Sequence, residues 1–141
     1  MKKILVTGAT GQLGSELNVL APSYSQLEWV FADRTLLDLS ELNTISKVLD
    51  EIQPQIIINC AAYTAVDKAE SETDLADILN HQAVAVLAQW TKANNCQFLH
   101  ISTDYVFDGN SSTPLKEDAA TVPINVYGQT KLAGEQACLR E

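Results

Sequence analysis

The sequence predicts an α/β fold with a doubly wound, mainly parallel sheet and helices on both faces. Three features predict it. Short β-like runs alternate with stretches of helical periodicity, the pattern of repeated βαβ units. Gln55–Cys60 contains three consecutive isoleucines, as a strand buried on both faces does. Glycines cluster in one turn directly after the first apolar run.

The first strand spans Lys3–Val6 and closes at Thr7-Gly8. Leu13, Leu17 and Leu20 then recur at helical spacing, giving a helix that ends near Pro22. Leu27–Ala32, with Trp29, Val30 and Phe31, reads as the second strand. Leu42, Ile45, Leu49 and Ile52 make the next helical stripe, with Ser40 as its N-cap and Pro54 beyond its end. After the isoleucine strand, one long helix is expected from about Thr73 to about Asn94, with Leu75, Leu79, Ala83, Val86 and Trp90 on one face. Gln97–Ser102 follows as a strand. The polar segment from Asp104 to Val126 reads as a functional loop. A final helix runs from Tyr127 to about Arg140, with Leu132 and Cys138 as its apolar contacts.

Composition narrows the function. A hydrophobic content of 46% supports one core and argues against disorder. Nine basic against eighteen acidic side chains give a charge of −9, a poor match for nucleic acid or an anionic membrane. The apolar stretches Ile56–Ile58 and Ala83–Ala88 are far shorter than the ~20 residues of a membrane helix. The N-terminal Lys2-Lys3-Ile4-Leu5-Val6 meets Thr7-Gly8 too soon for a signal-peptide core. Cys60, Cys96 and Cys138 show no paired spacing, which fits reduced, buried thiols in a cytoplasmic protein. His81 and His100 stand apart from any cysteine or carboxylate pattern, so no metal site is expected.

The glycine turn is the first chemical signal. Gly8, Gly11 and Gly14 lie between the first strand and the first helix. They suit a tight turn, close approach of backbone to a pyrophosphate, and close helix–strand packing; the helix N-terminus beyond adds free N–H groups. This is the arrangement of a Rossmann-type dinucleotide site. No Gly-Lys-Ser/Thr follows, which disfavours a nucleoside-triphosphatase loop. Asp33, ending the second strand, is placed for the adenosine ribose hydroxyls, while the adjacent Arg34 suits a 2′-phosphate. NADH and NADPH both stay open. Asp38 is either an adenine-side contact or a turn aspartate.

The second signal is Tyr127-x-x-x-Lys131, whose spacing sets a phenol and an ammonium on one helix face. A nearby positive charge favours the phenolate, so Tyr127 can donate a proton to a carbonyl oxygen as hydride reaches its carbon. Ser102-Thr103-Asp104 ends the preceding strand, where Thr103 can bond the substrate oxygen. The acidic run Asp67, Glu70, Glu72, Asp74 and Asp77 reads mainly as a solvated helix start; Val66 and Asp67 alone are candidates to reach substrate.

Together these motifs resemble the extended short-chain dehydrogenase/reductases. Four segments, Asn59–Glu70, Ser102–Gly109, Pro123–Gly128 and Lys131–Glu135, resemble more narrowly the dTDP-4-dehydrorhamnose reductase family. That resemblance implies NADPH- or NADH-dependent reduction of the 4-keto group of a dTDP-linked 6-deoxyhexose, yielding dTDP-L-rhamnose for cell-surface polysaccharide. It implies Tyr127 as acid, Lys131 as its partner and ribose ligand, and Thr103 as the orienting hydroxyl. Val66, Asp67 and Asp104 fall at substrate positions. Gly11, Gln12 and Leu13 match the pyrophosphate side, Asp38 and Leu39 the adenine side, and Ala61, Ala62 and Tyr63 the cofactor-facing strand end.

Two other functions compete. A sugar-nucleotide dehydratase or epimerase of this superfamily is one, but Tyr105 stands where a dehydratase needs a glutamate after Thr103-Asp104. A non-catalytic nucleotide-binding regulatory subunit is the other. Members of the family continue beyond the Tyr-Lys helix, so residues 1–141 are expected to be the dinucleotide-binding part of a truncated chain, with poor or absent turnover. The strand Gln97–Ser102 is then expected to form an exposed edge prone to self-association, as a homodimer or larger species.

Overall fold

The computed structural model describes every residue from Met1 to Glu141. Four parallel strands, β1 (Lys2–Thr7), β2 (Leu27–Ala32), β3 (Ile56–Asn59) and β4 (Gln97–His100), lie in the order β2-β1-β3-β4. Thr7 pairs with Ala32 and Asn59, and Asn59 with His100, so all four strands end level. From β1 the chain moves outward to β2, then crosses back over β1 to β3. Right-handed crossovers in opposite directions place helix α1 (Gln12–Leu20) on one face and α2 (Leu42–Ile52) on the other. This reversal opens a crevice at the strand ends, where doubly wound sheets bind ligands.

The main core lies under α2. Leu5 of β1 and Ile57 of β3 meet Ile45 and Leu49 of α2, together with Ala83, Leu87 and Trp90 from α5 (Ala83–Ala93). Trp90 Nε1 donates to Asp50 Oδ1 at 2.8 Å, adding a polar tie between α5 and α2. Helix α2 ends where Gln53 takes a left-handed conformation (φ 52°) ahead of Pro54, which cannot continue the helix. The C-terminal helix, α6 (Val126–Arg140), starts at Asn125, whose Oδ1 accepts the Gly128 N–H at 2.8 Å as an N-cap.

Several expectations need correction. The long helix between β3 and β4 is not uniform: α3 (Val66–Ala69) and α4 (Thr73–Asp77) precede a π-helical turn at Ile78–Gln82, and α5 follows. The extra residue in that turn rotates the buried face, so Ala76, Asn80, Val84 and Leu87 point inward and Leu75 lies on the surface. Ser40 does not cap α2. Glu41 occupies that position without a side-chain bond, and Ser40 Oγ instead donates to Asp38 at 2.7 Å. On α1, Leu13 and Leu20 are exposed, Leu13 because it stands at the mouth of the crevice. The three cysteines are free, as expected, but half-buried rather than buried, and burial raises the Cys96 thiol to about 11.

Strand β4 is a sheet edge, as foreseen, and Leu99 on it is 53% exposed. No helix is long and apolar enough to cross a membrane. Leu49 is fully buried in the main cluster. Leu49→Ala should therefore cost about 2–5 kcal/mol of folding stability, read as a lower urea midpoint at an unchanged slope.

Candidate active site

At the level strand ends, the crevice holds a cavity of about 520 Å³. Its lining contains Gly8, Gly11, Gln12 and Leu13 from the first turn, Asp33, Arg34, Asp38 and Leu39 after β2, and Ala61 and Ala62 after β3. Gly8 is required by its own backbone: φ is +65°, and a Cβ there would stand 2.7 Å from the Ala61 N atom. A Cβ on Gly14 would collide with the Gly8 carbonyl oxygen, so Gly14 sits behind the turn and lets α1 press onto it. Helix α1 has Gly11 at its N-cap and no side chain bonded to its first N–H groups. Those donors stay available to an anion.

The two carboxylates in this cleft are partly committed to their own loops. Asp33 Oδ1 accepts from the Thr35 hydroxyl and from the N–H groups of Thr35 and Leu36, while Oδ2 makes no bond within the chain. These bonds hold its carboxyl below the usual range, the Thr35 hydroxyl contributing most. Asp38 Oδ1 accepts from Ser40, which holds that carboxyl low as well, aided by the Arg34 charge. Both aspartates are thus anionic turn formers that also face the cleft. Thr10, Cys60, Thr64 and Leu79 also line the wall; none of them was assigned to this site from the sequence, because nothing in their spacing marks them for it.

Tyr127, Lys131 and Thr103 do not line this cavity; they form a second group along α6. Tyr127 is buried with Ala69 and Ala76, and Tyr63, Val66 and Val126 pack against that cluster. Its ring meets Tyr105 edge-on with centroids 5.4 Å apart, and its hydroxyl makes no hydrogen bond within the chain. Lys131 is 2% exposed and its ammonium donates to the Ile101 carbonyl at 2.5 Å. Burial lowers the Lys131 pKa, partly offset by Glu135 and Cys138. Thr103 Oγ1 accepts the Tyr105 N–H at 3.2 Å and contacts Asp104 at 3.3 Å, capping the turn Asp104–Val106. Ser102, adjacent, bonds to Glu135. Asp67 and Asp104 are exposed, and Val66 reaches the Tyr127 cluster.

Tyr63, assigned to the cofactor side by resemblance, directly follows Ala61 and Ala62 and packs against the Tyr127 cluster. Its hydroxyl donates to Glu72 Oε2 at 2.6 Å, and its backbone is held by Asn80 on both sides: N–H to Oδ1 at 2.8 Å, carbonyl from Nδ2 at 3.1 Å. Asn80 Nδ2 also reaches Thr130 Oγ1 at 3.2 Å, and Gly134 packs on the Asn80 carbonyl too closely for any Cβ. Asn80 was missed by sequence reasoning. Its one available signal, a polar residue on an otherwise apolar helix stripe, gains meaning only through the π turn that carries it. Glu70 and Glu72, in the acidic run, are structural: Glu70 accepts the Val126 N–H at 2.9 Å at the start of α6. No cluster of three or more metal-ligating side chains is present.

The profile of the RmlD substrate binding domain family matches residues 1–141. The chain belongs to this family. Its dTDP-4-dehydrorhamnose reductase relative from Burkholderia thailandensis is 45% identical over 135 residues, covering 96% of this chain and 45% of that protein. The Escherichia coli relative of the same name is 44% identical, covering 95% and 46%. Among solved structures, a dTDP-4-dehydrorhamnose reductase from Clostridium acetobutylicum superposes with a TM-score of 0.93 at 39% identity, over 98% of this chain and 49% of that one. One from Bacillus anthracis, in complex with NADP, gives 0.92 at 40% identity, over 99% and 50%. The chain spans about half the length of the curated relatives it matches. As an RmlD-family chain, it keeps the Rossmann-type core and the Tyr-Lys helix together.

One buried group gives the site a pH signature. His100 Nδ1 faces Asn59 Nδ2 at 3.0 Å, and burial, reinforced by the Lys131 charge, lowers the imidazole to about 4 from its ordinary 6.5. The folded chain refuses a proton that the unfolded chain accepts, so stability is full above pH 6.5 and falls as the pH drops toward 4. The loss over that window should be about 3 kcal/mol. Urea unfolding of His100→Gln should show a flatter pH dependence; an identical slope in both proteins would refute this origin.

Proposed function

We propose that this chain supplies the dinucleotide-binding and proton-donating part of a dTDP-4-dehydrorhamnose reductase, acting on the 4-keto group of a dTDP-linked 6-deoxyhexose. The observation that supports this reading best is the placement of Tyr127 and Lys131 on one face of α6, docked on the chain that leaves β4 through Thr103. NADPH or NADH fits the first cavity on structural grounds: uncapped N–H groups at the α1 N-terminus, a turn that only glycine can make at Gly8, and a cleft of about 520 Å³. Gly11, Gln12 and Leu13 would hold its pyrophosphate, Asp33 the adenosine ribose or Arg34 a 2′-phosphate, and Ala61 and Ala62 would line its path toward α6. Tyr127 and Lys131 would meet its nicotinamide end. When bound, the reduced nicotinamide supplies the hydride.

The rest is done by side chains. Thr103 orients the substrate carbonyl with its hydroxyl. Tyr127, whose hydroxyl has no partner within the chain, donates a proton to the carbonyl oxygen as the carbon is reduced. Lys131 sets a positive charge beside the phenolate that is left. Val66, Asp67 and Asp104 border the substrate side. The absence of a glutamate after Asp104 removes the base that water elimination would need, which favours simple reduction over dehydration.

Absorbance loss of NADPH or NADH in the presence of a dTDP-4-keto-6-deoxy sugar tests the reading. Tyr127→Phe should lower the rate by about 10²–10⁴-fold while dinucleotide binding, followed by fluorescence, survives. Equal rates for both chains would remove Tyr127 from the chemistry.

The edge at β4, with Leu99 exposed beside unpaired backbone groups, supports self-association of this chain. Light scattering on a sizing column should give a dimer or larger species, and Leu99→Lys should shift it toward monomer. A monomer at all concentrations for the unaltered chain would count against association through this edge.

A further inference from the structure

We propose that Glu135 is a positioning residue of this site, fixing the strand end beside Thr103 through Ser102 while its charge, one helical turn away, steadies the buried Lys131 ammonium. The proposal rests on the reductase reading and extends it to a residue outside the Tyr-Lys pair. Tyr127, Lys131 and Glu135 follow one another at four-residue spacing and so share a stripe along α6. Each meets a different point of one short stretch of chain. Tyr127 packs its ring on Tyr105, Lys131 donates to the Ile101 carbonyl, and Glu135 accepts from the Ser102 hydroxyl.

Thr103 lies between these anchor points. Its backbone is extended (φ −150°, ψ 152°) and its side chain is engaged with its own turn, bonding to Tyr105 N–H and Asp104. Its place relative to Tyr127 is therefore set by how its neighbours grip α6. Two of those grips, at Ile101 and Ser102, are adjacent in the chain, and they use a buried cation and an anion one helical turn apart. Each polar grip stabilises the other electrically as well as sterically.

The charges around Lys131 make Glu135 the group that matters. On its own helix Lys131 faces Glu135 and Cys138; from β4 it faces His100, whose neutral ring offers no compensating charge. An ammonium that is 2% exposed loses most of its hydration, and the Ile101 carbonyl returns only one hydrogen bond. Glu135 does not close an ion pair with it, since no contact within 4 Å forms. Its carboxylate acts across one turn of helix while Ser102 fixes its direction. A glutamine at this position would keep an oxygen for Ser102 and lose only the charge.

The experiment is a pH titration of the 141-residue chain by NMR, with carbon-13 in the lysine side chains and glutamate carboxyls, and Lys131→Met for assignment. In the unaltered chain, the Lys131 signal should show an acid inflection that coincides with the Glu135 carboxyl midpoint. In Glu135→Gln, the Lys131 midpoint should fall, while Lys92 on α5 stays where it was. Exchange of the Lys131 ammonium hydrogens with water should become about tenfold faster, as expected for loss of a charge partner from a buried cation. An unchanged Lys131 midpoint in a folded Glu135→Gln overturns the proposal. Should that variant fail to fold, a Lys131 signal in the unaltered chain that ignores the Glu135 titration overturns it equally. None of these readouts uses a sugar nucleotide or a dinucleotide, so the failure of the reductase reading would leave this result to stand or fall separately.

Discussion

A line of hydrogen bonds across three strand ends holds the site together. The Ala61 N–H reaches Thr7 Oγ1 at 3.4 Å, the Thr7 hydroxyl donates to Asn59 Oδ1 at 2.5 Å, and Asn59 Nδ2 meets His100 Nδ1 at 3.0 Å. Once Asn59 Oδ1 accepts from Thr7, its amide must donate, so His100 Nδ1 must be the bare nitrogen of a neutral ring. Thr7 and Asn59 are almost completely buried, where an unmatched polar group is costly. Strand ends that must satisfy one another in this way are kept level, and the loops that leave them begin from fixed points.

Both halves of the site follow from that level edge. On one side of the line, Gly8 leaves β1 in a left-handed turn, with Ala61 pressed against it after β3, and the crevice cavity opens above them. On the other side, Ile101, Ser102 and Thr103 leave β4 and are gripped by α6. Between them, Asn80 binds the Tyr63 backbone to Thr130 of α6, so the chain that leaves β3 and helix α6 are joined by one buried amide. The π turn that presents Asn80 breaks the regular hydrogen-bond ladder of a helix, a local departure of the kind that accompanies functional sites.

Much of the fold was legible because the signals were local. Apolar runs marked all four strands, with Gly8 closing β1 and Pro54 preceding β3, and the stripe Leu42, Ile45, Leu49, Ile52 marked α2, since a helix that covers a sheet must show its period in sequence. Gly8, Gly11 and Gly14 were legible for the same reason: backbone conformation and close approach restrict the residue type at the position itself. The helix from Thr73 onward was less so. A one-residue π insertion leaves composition untouched but turns the stripe, which is why Leu75 lies outside and Asn80 inside. Ser40 before a helical stripe looked like a cap because the sequence does not reveal that Asp38 competes for its hydroxyl.

What could be read from the chain directly were properties belonging to single residues or to fixed spacings along one element. These are the parallel α/β layout, the glycine turn ahead of α1, and the sharing of one helix face by a phenol and an ammonium. What folding added were pairings between residues far apart in the chain: Ser102 with Glu135, Lys131 with the Ile101 carbonyl, His100 with Asn59, and Asn80 with both Tyr63 and Thr130. The physical reason is that burial makes the energy of a charge or amide depend on whichever groups surround it in space. Periodicity records which face of an element is hidden, but not which polar group waits on the other side.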